Sequence, residues 1–183
     1  MKDELFTLFY DVSLPQLIEC LSTTKDDLTK SLCLELLACC ASTHGYRIRY
    51  YVIHNSVLQR LLNLYKDQKK CIILSMVRFF RALISSQDDS LNRYVAKHDL
   101  MQPIVTLLQN NKRENMMTSA LLELFAYIFS QNLKILISYI MEKHKDIIID
   151  SKYSSCKVMK GIKIKYEQLM QDRPVKRTEI TYG

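Results

Sequence analysis

The chain has 183 residues, 48% hydrophobic and 25% charged, with only 3 Gly and 3 Pro; a soluble protein of ordinary composition carries roughly 7% and 5% of these two. Ample core formers with few chain breakers select helices and exclude turn-rich sandwiches, barrels and collagen-like folds, at a length that buries about 70% of the unfolded surface without metal or disulfide. The formal charge of +7 is uneven, with 18 Lys and Arg against 16 Asp and Glu in residues 1–150 and 8 against 3 in residues 151–183, so the body lacks the sustained basic stripe that wraps a nucleic acid duplex.

In chain order, Met1 to Leu5 is too acidic for a signal peptide, and no run reaches the roughly 18 apolar residues of a membrane helix. Pro15 marks an early helix start, and a long apolar helix is predicted over Asp26 to Thr43. A short helix over Arg47 to His54 carries Tyr51, and Asn55 or Ser56 is placed to cap a second over Val57 to Tyr65. A long third helix spans Lys70 to Ser85. The same order returns: Ser90 to His98 with Tyr94, capped by Asp89 or Ser90; Leu100 to Gln109 with Pro103 near its start; and Glu114 to Ser130. Leu133 to His144 begins another unit. Beyond Asp150, Ser151 to Ser155 reads as a connector, and Val158 to Met170 as a capping helix with Val158, Ile162, Tyr166 and Leu169 on one stripe. Residues from Gln171 on are polar, with the composition of a disordered tail.

The recurrence is visible in the residues themselves. Tyr51 to Leu64 aligns with Tyr94 to Leu107 at an offset of 43, and Met76 to Phe80 aligns with Cys33 to Leu37 at 43 and with Leu121 to Phe125 at 45. A helical period of about 40 to 47 residues is the mark of armadillo and HEAT repeats. The expected fold is an all-α, armadillo/HEAT-like right-handed superhelical solenoid of three to four repeats, divided into repeats at 1–150, connector and capping helix at 151–170, and a tail at 171–183. The third helices are apolar on more than one face, as Ile72, Ile73, Leu74, Met76, Val77, Phe79 and Phe80 show, and stacked neighbours would cover both sides.

One register position breaks the apolar pattern: Glu35, Arg78 and Glu123 are equivalent residues of three successive third helices. Acid, base, acid is the order of an ion-pair ladder, since charges in an apolar setting need partners. The other reading places the third helices on a concave surface, where Arg78 and Arg81 meet an acidic segment of a partner. Arg93, which recurs with Arg49, joins Glu35 and Glu123 among the candidate interaction residues. Lys160 and Lys163 on the last helix do so too, although a solvated charged face is the commoner outcome there.

No catalytic, cofactor or metal site emerges. His44, His54, His98 and His144 lie in separate units with no second His or carboxylate at the spacing that chelates a metal from one helix face, and there is no HExxH. His54 and His98 fall near helix ends, where an imidazole meets free carbonyls. The six cysteines form no CxxC and sit mostly in apolar runs, as reduced structural thiols; that points to a cytosolic or nuclear compartment. Gly45, Gly161 and Gly183 build no phosphate loop. Tyr46, Tyr50 and Tyr51 interleave with Arg47 and Arg49, but a Tyr that recurs in each first helix reads as packing rather than as a base-stacking platform.

Leu34-Glu35-Leu36-Leu37 with His44, Tyr46, Ile48 and Tyr51, then Arg78-Phe79 with Arg81 and Asn92-Arg93-Tyr94, resembles regulatory subunit 3 of protein phosphatase 4, the suppressor-of-mek-null family. Leu107-Leu108, Asn110, Arg113, Asn115, Ser119-Ala120, Glu123-Leu124-Phe125 and Ile128 follow the same pattern, as does Lys160 to Gln168. The resemblance covers nearly all of residues 1 to 170. It implies a noncatalytic scaffold that directs a serine/threonine phosphatase, with the catalytic subunit, a second regulatory subunit and phosphoprotein substrates as partners. It also implies residence in nucleus and cytoplasm and roles such as DNA-damage signalling. Family members begin with a small β-barrel domain and continue through further repeats, so this chain corresponds to the C-terminal part of the helical region, as a fragment or a reduced protein. Residues Ser22 to Lys30 are shorter than the family's variable insert. A generic armadillo adaptor unrelated to phosphatase is the alternative.

Overall fold

The computed structural model describes residues 2–64, 69–111, 114–149 and 152–172, and every regular element among them is helical. Helix α1 (Lys2–Leu8) runs through a π-helical turn at Phe9–Ser13 into α2 (Leu14–Thr23), followed by α3 (Asp27–Thr43). Then come α4 (Tyr46–His54), α5 (Val57–Leu64) and α6 (Lys70–Ile84), and α7 (Asp89–Lys97), α8 (Gln102–Asn110) and α9 (Met116–Ser130). The last group is α10 (Lys134–Lys143), α11 (Lys145–Ile149) and α12 (Lys157–Gln171). Tyr65, Arg113, Ser151 and the tail from residue 173 lie outside the described residues.

The helix starts follow side-chain chemistry, with corrections of one or two residues. Asp26 caps α3 by accepting from the Thr29 amide at 2.8 Å. Asp88, rather than Asp89 or Ser90, caps α7 by accepting from the Leu91 amide at 2.9 Å. The Asn55 amide donates back to the Tyr51 carbonyl at 3.1 Å, so it serves the end of α4 instead of the start of α5. Helix α8 begins at Gln102, two residues later than expected, with Pro103 in its first turn where no amide hydrogen is missed. Asn115 caps α9 and exchanges two side-chain bonds with Asn111 at 3.1 and 3.2 Å, stitching α8 to α9.

The helix ends repeat as well. After α7, Leu100 N–H donates to Val95 and Asp99 N–H to Ala96; after α9, Leu133 N–H donates to Ile128 and Asn132 N–H to Phe129. Both are Schellman turns, which require a left-handed residue after the cap. Asp99 and Asn132 supply it at φ 54° and 52°, and Ser56 takes the same role one unit before Asp99 at φ 50°. Gly45, after α3, turns at φ 58° and ψ −127°, a conformation that a Cβ would oppose.

Two rows result. The long helices pack in sequence, α3 on α6, α6 on α9 and α9 on α12, and a second row runs α4, α7, α10. Helix α12 thus continues the long-helix row beside α9, and it also covers α10 and α11. Between the rows lies one core containing Leu37, Phe79, Leu83, Leu124, Phe125 and Ile140, each fully buried. Each such side chain contributes about 1.5–3 kcal/mol by leaving water. The predicted packing tyrosines are in place, Tyr94 and Tyr139 buried and Tyr51 half-buried. Gly161 has a steric cause: a Cβ there would lie 2.5 Å from Cε2 and Cζ of Phe129, so its absence lets α12 close on α9.

Candidate protein-interaction surface

The long-helix row presents one polar seam. Glu35, Arg78 and Glu123 are all exposed along it, but the ladder is offset from the sequence expectation. Arg78 Nη1 stands 3.8 Å from Glu35 Oε1, whereas Glu123 Oε1 takes Arg81 Nη1 at 2.7 Å, one turn further along α6. The Arg81 guanidinium also lies over the Tyr127 ring, 5.8 Å from its centroid. The cause is reach: Tyr127 and Glu123 share a face of α9, so Arg81 is the residue whose planar head is gathered in by both.

At the start of the seam, α3, α6 and the first turn of α9 enclose a cleft of about 410 Å³. Leu74, Met117 and Ser75 are its buried lining, Ser75 being tied to the Ser31 hydroxyl across α3 and α6 at 2.8 Å. Lys70, Arg78, Glu35, Cys71 and Met116 are exposed around it. Cys71 departs from the expectation of buried thiols, as does Cys39, while Cys33 and Cys40 are buried with thiols raised by that burial.

The other candidates are apart from this cleft. Arg93 projects from α7 and faces Asp89 at 3.9 Å, both well exposed, and its counterpart Arg49 reaches Asp88 at 3.4 Å. Lys160 and Lys163 are exposed on α12. Lys165 is instead engaged: its ammonium donates to the Phe129 carbonyl at 2.6 Å and sits over that residue's ring. Among the described residues of α3, α6 and α9, Glu35 and Glu123 alternate with the arginines along the seam, so that stretch is not continuously basic.

Two histidine clusters escaped the sequence reading. His144 is buried, its Nε2 2.9 Å from Asp99 Oδ1 and 3.0 Å from the Tyr139 hydroxyl, which itself donates to Asp99. Burial alone would raise the Asp99 carboxyl, but the bonds from Tyr139 and His144 outweigh it and hold the group below its ordinary value. Tyr139 is pushed up, chiefly by burial and then by that carboxylate. His44 packs edge-on against Phe6 and Phe9, with Nδ1 3.0 Å from the Tyr10 hydroxyl, and burial lowers its pKa. The signal for the first cluster was the repeat: Asp99 and His144 are one period apart, invisible to a search for local spacing. Among the described residues no group of His, Cys, Asp and Glu is arranged to hold a metal, and no helix is long and apolar enough to cross a membrane.

Comparison with known proteins bears on these features. A family model described as "Phosphatase 4 regulatory subunit 3" matches residues 1–168. Suppressor of Mek1 of Dictyostelium discoideum is 26% identical over 92% of the chain, and Protein PPP4R3C1 of Mus musculus is 32% identical over 80% of it. The match spans 18% of the length of each of these relatives. No solved structure matches.

Proposed function

Since the chain belongs to the phosphatase 4 regulatory subunit 3 family, we propose that it is a noncatalytic scaffold of a serine/threonine protein phosphatase 4 complex. It holds the catalytic subunit, with a second regulatory subunit, and brings phosphoprotein substrates to them in nucleus and cytoplasm. The observation that carries this reading is the family match over residues 1–168. Two rows of packed helices present an extended surface to partners. The family match also favours this reading over a generic adaptor. The metal chemistry of dephosphorylation then resides on the catalytic subunit. Phosphatase assays separate the roles: the purified chain alone should release no phosphate from a phosphopeptide, and adding it to the catalytic subunit should change the rate or substrate choice. Turnover by the chain alone would contradict the assignment.

A further inference from the structure

Resting on that reading of the chain as a protein-binding subunit, we propose that the cleft between α3, α6 and the start of α9 docks an unphosphorylated acidic peptide segment with an apolar residue beside its carboxylates. Its volume of about 410 Å³ lies within the usual range for ligand pockets, roughly 300–1,000 Å³, and admits one or two side chains of a segment lying across it. Leu74 and Met117 form an apolar lining, and Met116 at the rim is 67% exposed. A thioether arm of that kind adapts to an incoming apolar group.

Charge selects the rest of the ligand. Lys70 and Arg78 face the cleft against one carboxylate, Glu35. The two ion pairs of the seam differ in a way that singles out Arg78. Arg81 is held by Glu123 at hydrogen-bond distance, 2.7 Å. Arg78 stands 3.8 Å from Glu35, beyond hydrogen-bond reach, and its side chain is 57% exposed. An exposed pair at that separation contributes little, about 0–1 kcal/mol. An incoming carboxylate can take the guanidinium in the two-pronged geometry that Glu35 does not reach, so Arg78 changes partner at small cost. A basic segment would set its charge against Lys70 and Arg78, and a nucleic acid strand would meet Glu35 and then Glu123.

Fluorescence anisotropy on the 183-residue chain tests this with a fluorescein-labelled peptide of alternating Glu and Leu, its Lys and Leu counterpart, and a version with phosphoserine for Glu. The Glu peptide should bind and the Lys peptide should not. Arg78→Glu should weaken binding about tenfold or more, the loss expected for a charge-assisted hydrogen bond. Glu35→Gln, which removes the competing carboxylate, should strengthen it. Saturating Glu peptide should slow alkylation of Cys71 while leaving exposed Cys39, which lies outside the cleft lining, unchanged. Equal binding of the Lys peptide, indifference to both substitutions, an unprotected Cys71, or binding that requires the phosphoserine would each overturn the proposal. Circular dichroism of Arg78→Glu guards against misfolding, and Glu35→Gln supplies an independent change of opposite sign. If the cleft fails while the chain still retains the phosphatase catalytic subunit, the scaffold reading stands; if wild-type chain retains no phosphatase, that reading fails whatever the peptide does.

Discussion

His44 and Asp99 tie the stability of the protein to pH in two separate windows. The imidazole of His44 sits among Phe6, Phe9 and Tyr10, and burial lowers its pKa from 6.5. A base that is harder to protonate when folded contributes stability that is present above its unfolded value and lost as pH falls through the folded one. Urea midpoints should therefore decline as the pH is taken below about 6.5, and His44→Gln should flatten that decline; an unchanged slope would contradict the role of His44. Asp99 acts lower on the scale. Its carboxyl is held below 3.8 by Tyr139 and His144 against the opposing effect of burial. That contribution is present above the ordinary carboxylate value and disappears on further acidification. Tyr139→Phe removes one donor, so acid unfolding should move to higher pH in that variant.

Among the elements, Gly161 gives the sharpest prediction. Alanine is the better helix former by about 1 kcal/mol, yet its Cβ would fall 2.5 Å from the Phe129 ring, which Lys165 also covers. Overpacking of this kind costs about 1–3 kcal/mol, so Gly161→Ala should lower the thermal midpoint and Phe129→Leu in the same chain should restore it. The long helices allow a second comparison. Leu28, Leu32 and Leu36 of α3 are 66%, 56% and 47% exposed, and they share a register with Cys71, Ser75 and Phe79 of α6, of which Ser75 and Phe79 are buried, Ser75 against Ser31 of α3. Leu32→Lys should change stability by less than about 0.5 kcal/mol. Ser75→Lys, which forces a charge into the α3–α6 contact, should be strongly destabilising.

At the scale of the molecule, the period of 43 to 45 residues carried most of what the sequence could tell. Apolar residues recur at that period because each long helix must be covered by its neighbours, and α3, α6, α9 and α12 indeed pack in that order. Most helix ends fall within one or two residues of the sequence reading, although α11 (Lys145–Ile149) has no counterpart in it; the misses have causes: Ser86, Asp88, Asp89 and Ser90 stand together around the start of α7, and only the backbone decides that Asp88 is the cap. Side-chain partners were harder to read. Glu35, Arg78 and Glu123 share a register, but a long arginine chooses its carboxylate by reach, which is why Glu123 goes to Arg81. The pairing of Asp99 with His144 depends on two turns meeting across a repeat.

The proposed scaffold role requires this helical body itself to hold the phosphatase. Its most direct test is size-exclusion chromatography of the purified chain mixed with phosphatase 4 catalytic subunit and its second regulatory subunit. A scaffold of this kind should form a complex in which the chain elutes with the phosphatase. Elution of the folded chain at its free position, with the phosphatase subunits recovered apart from it, would contradict that role.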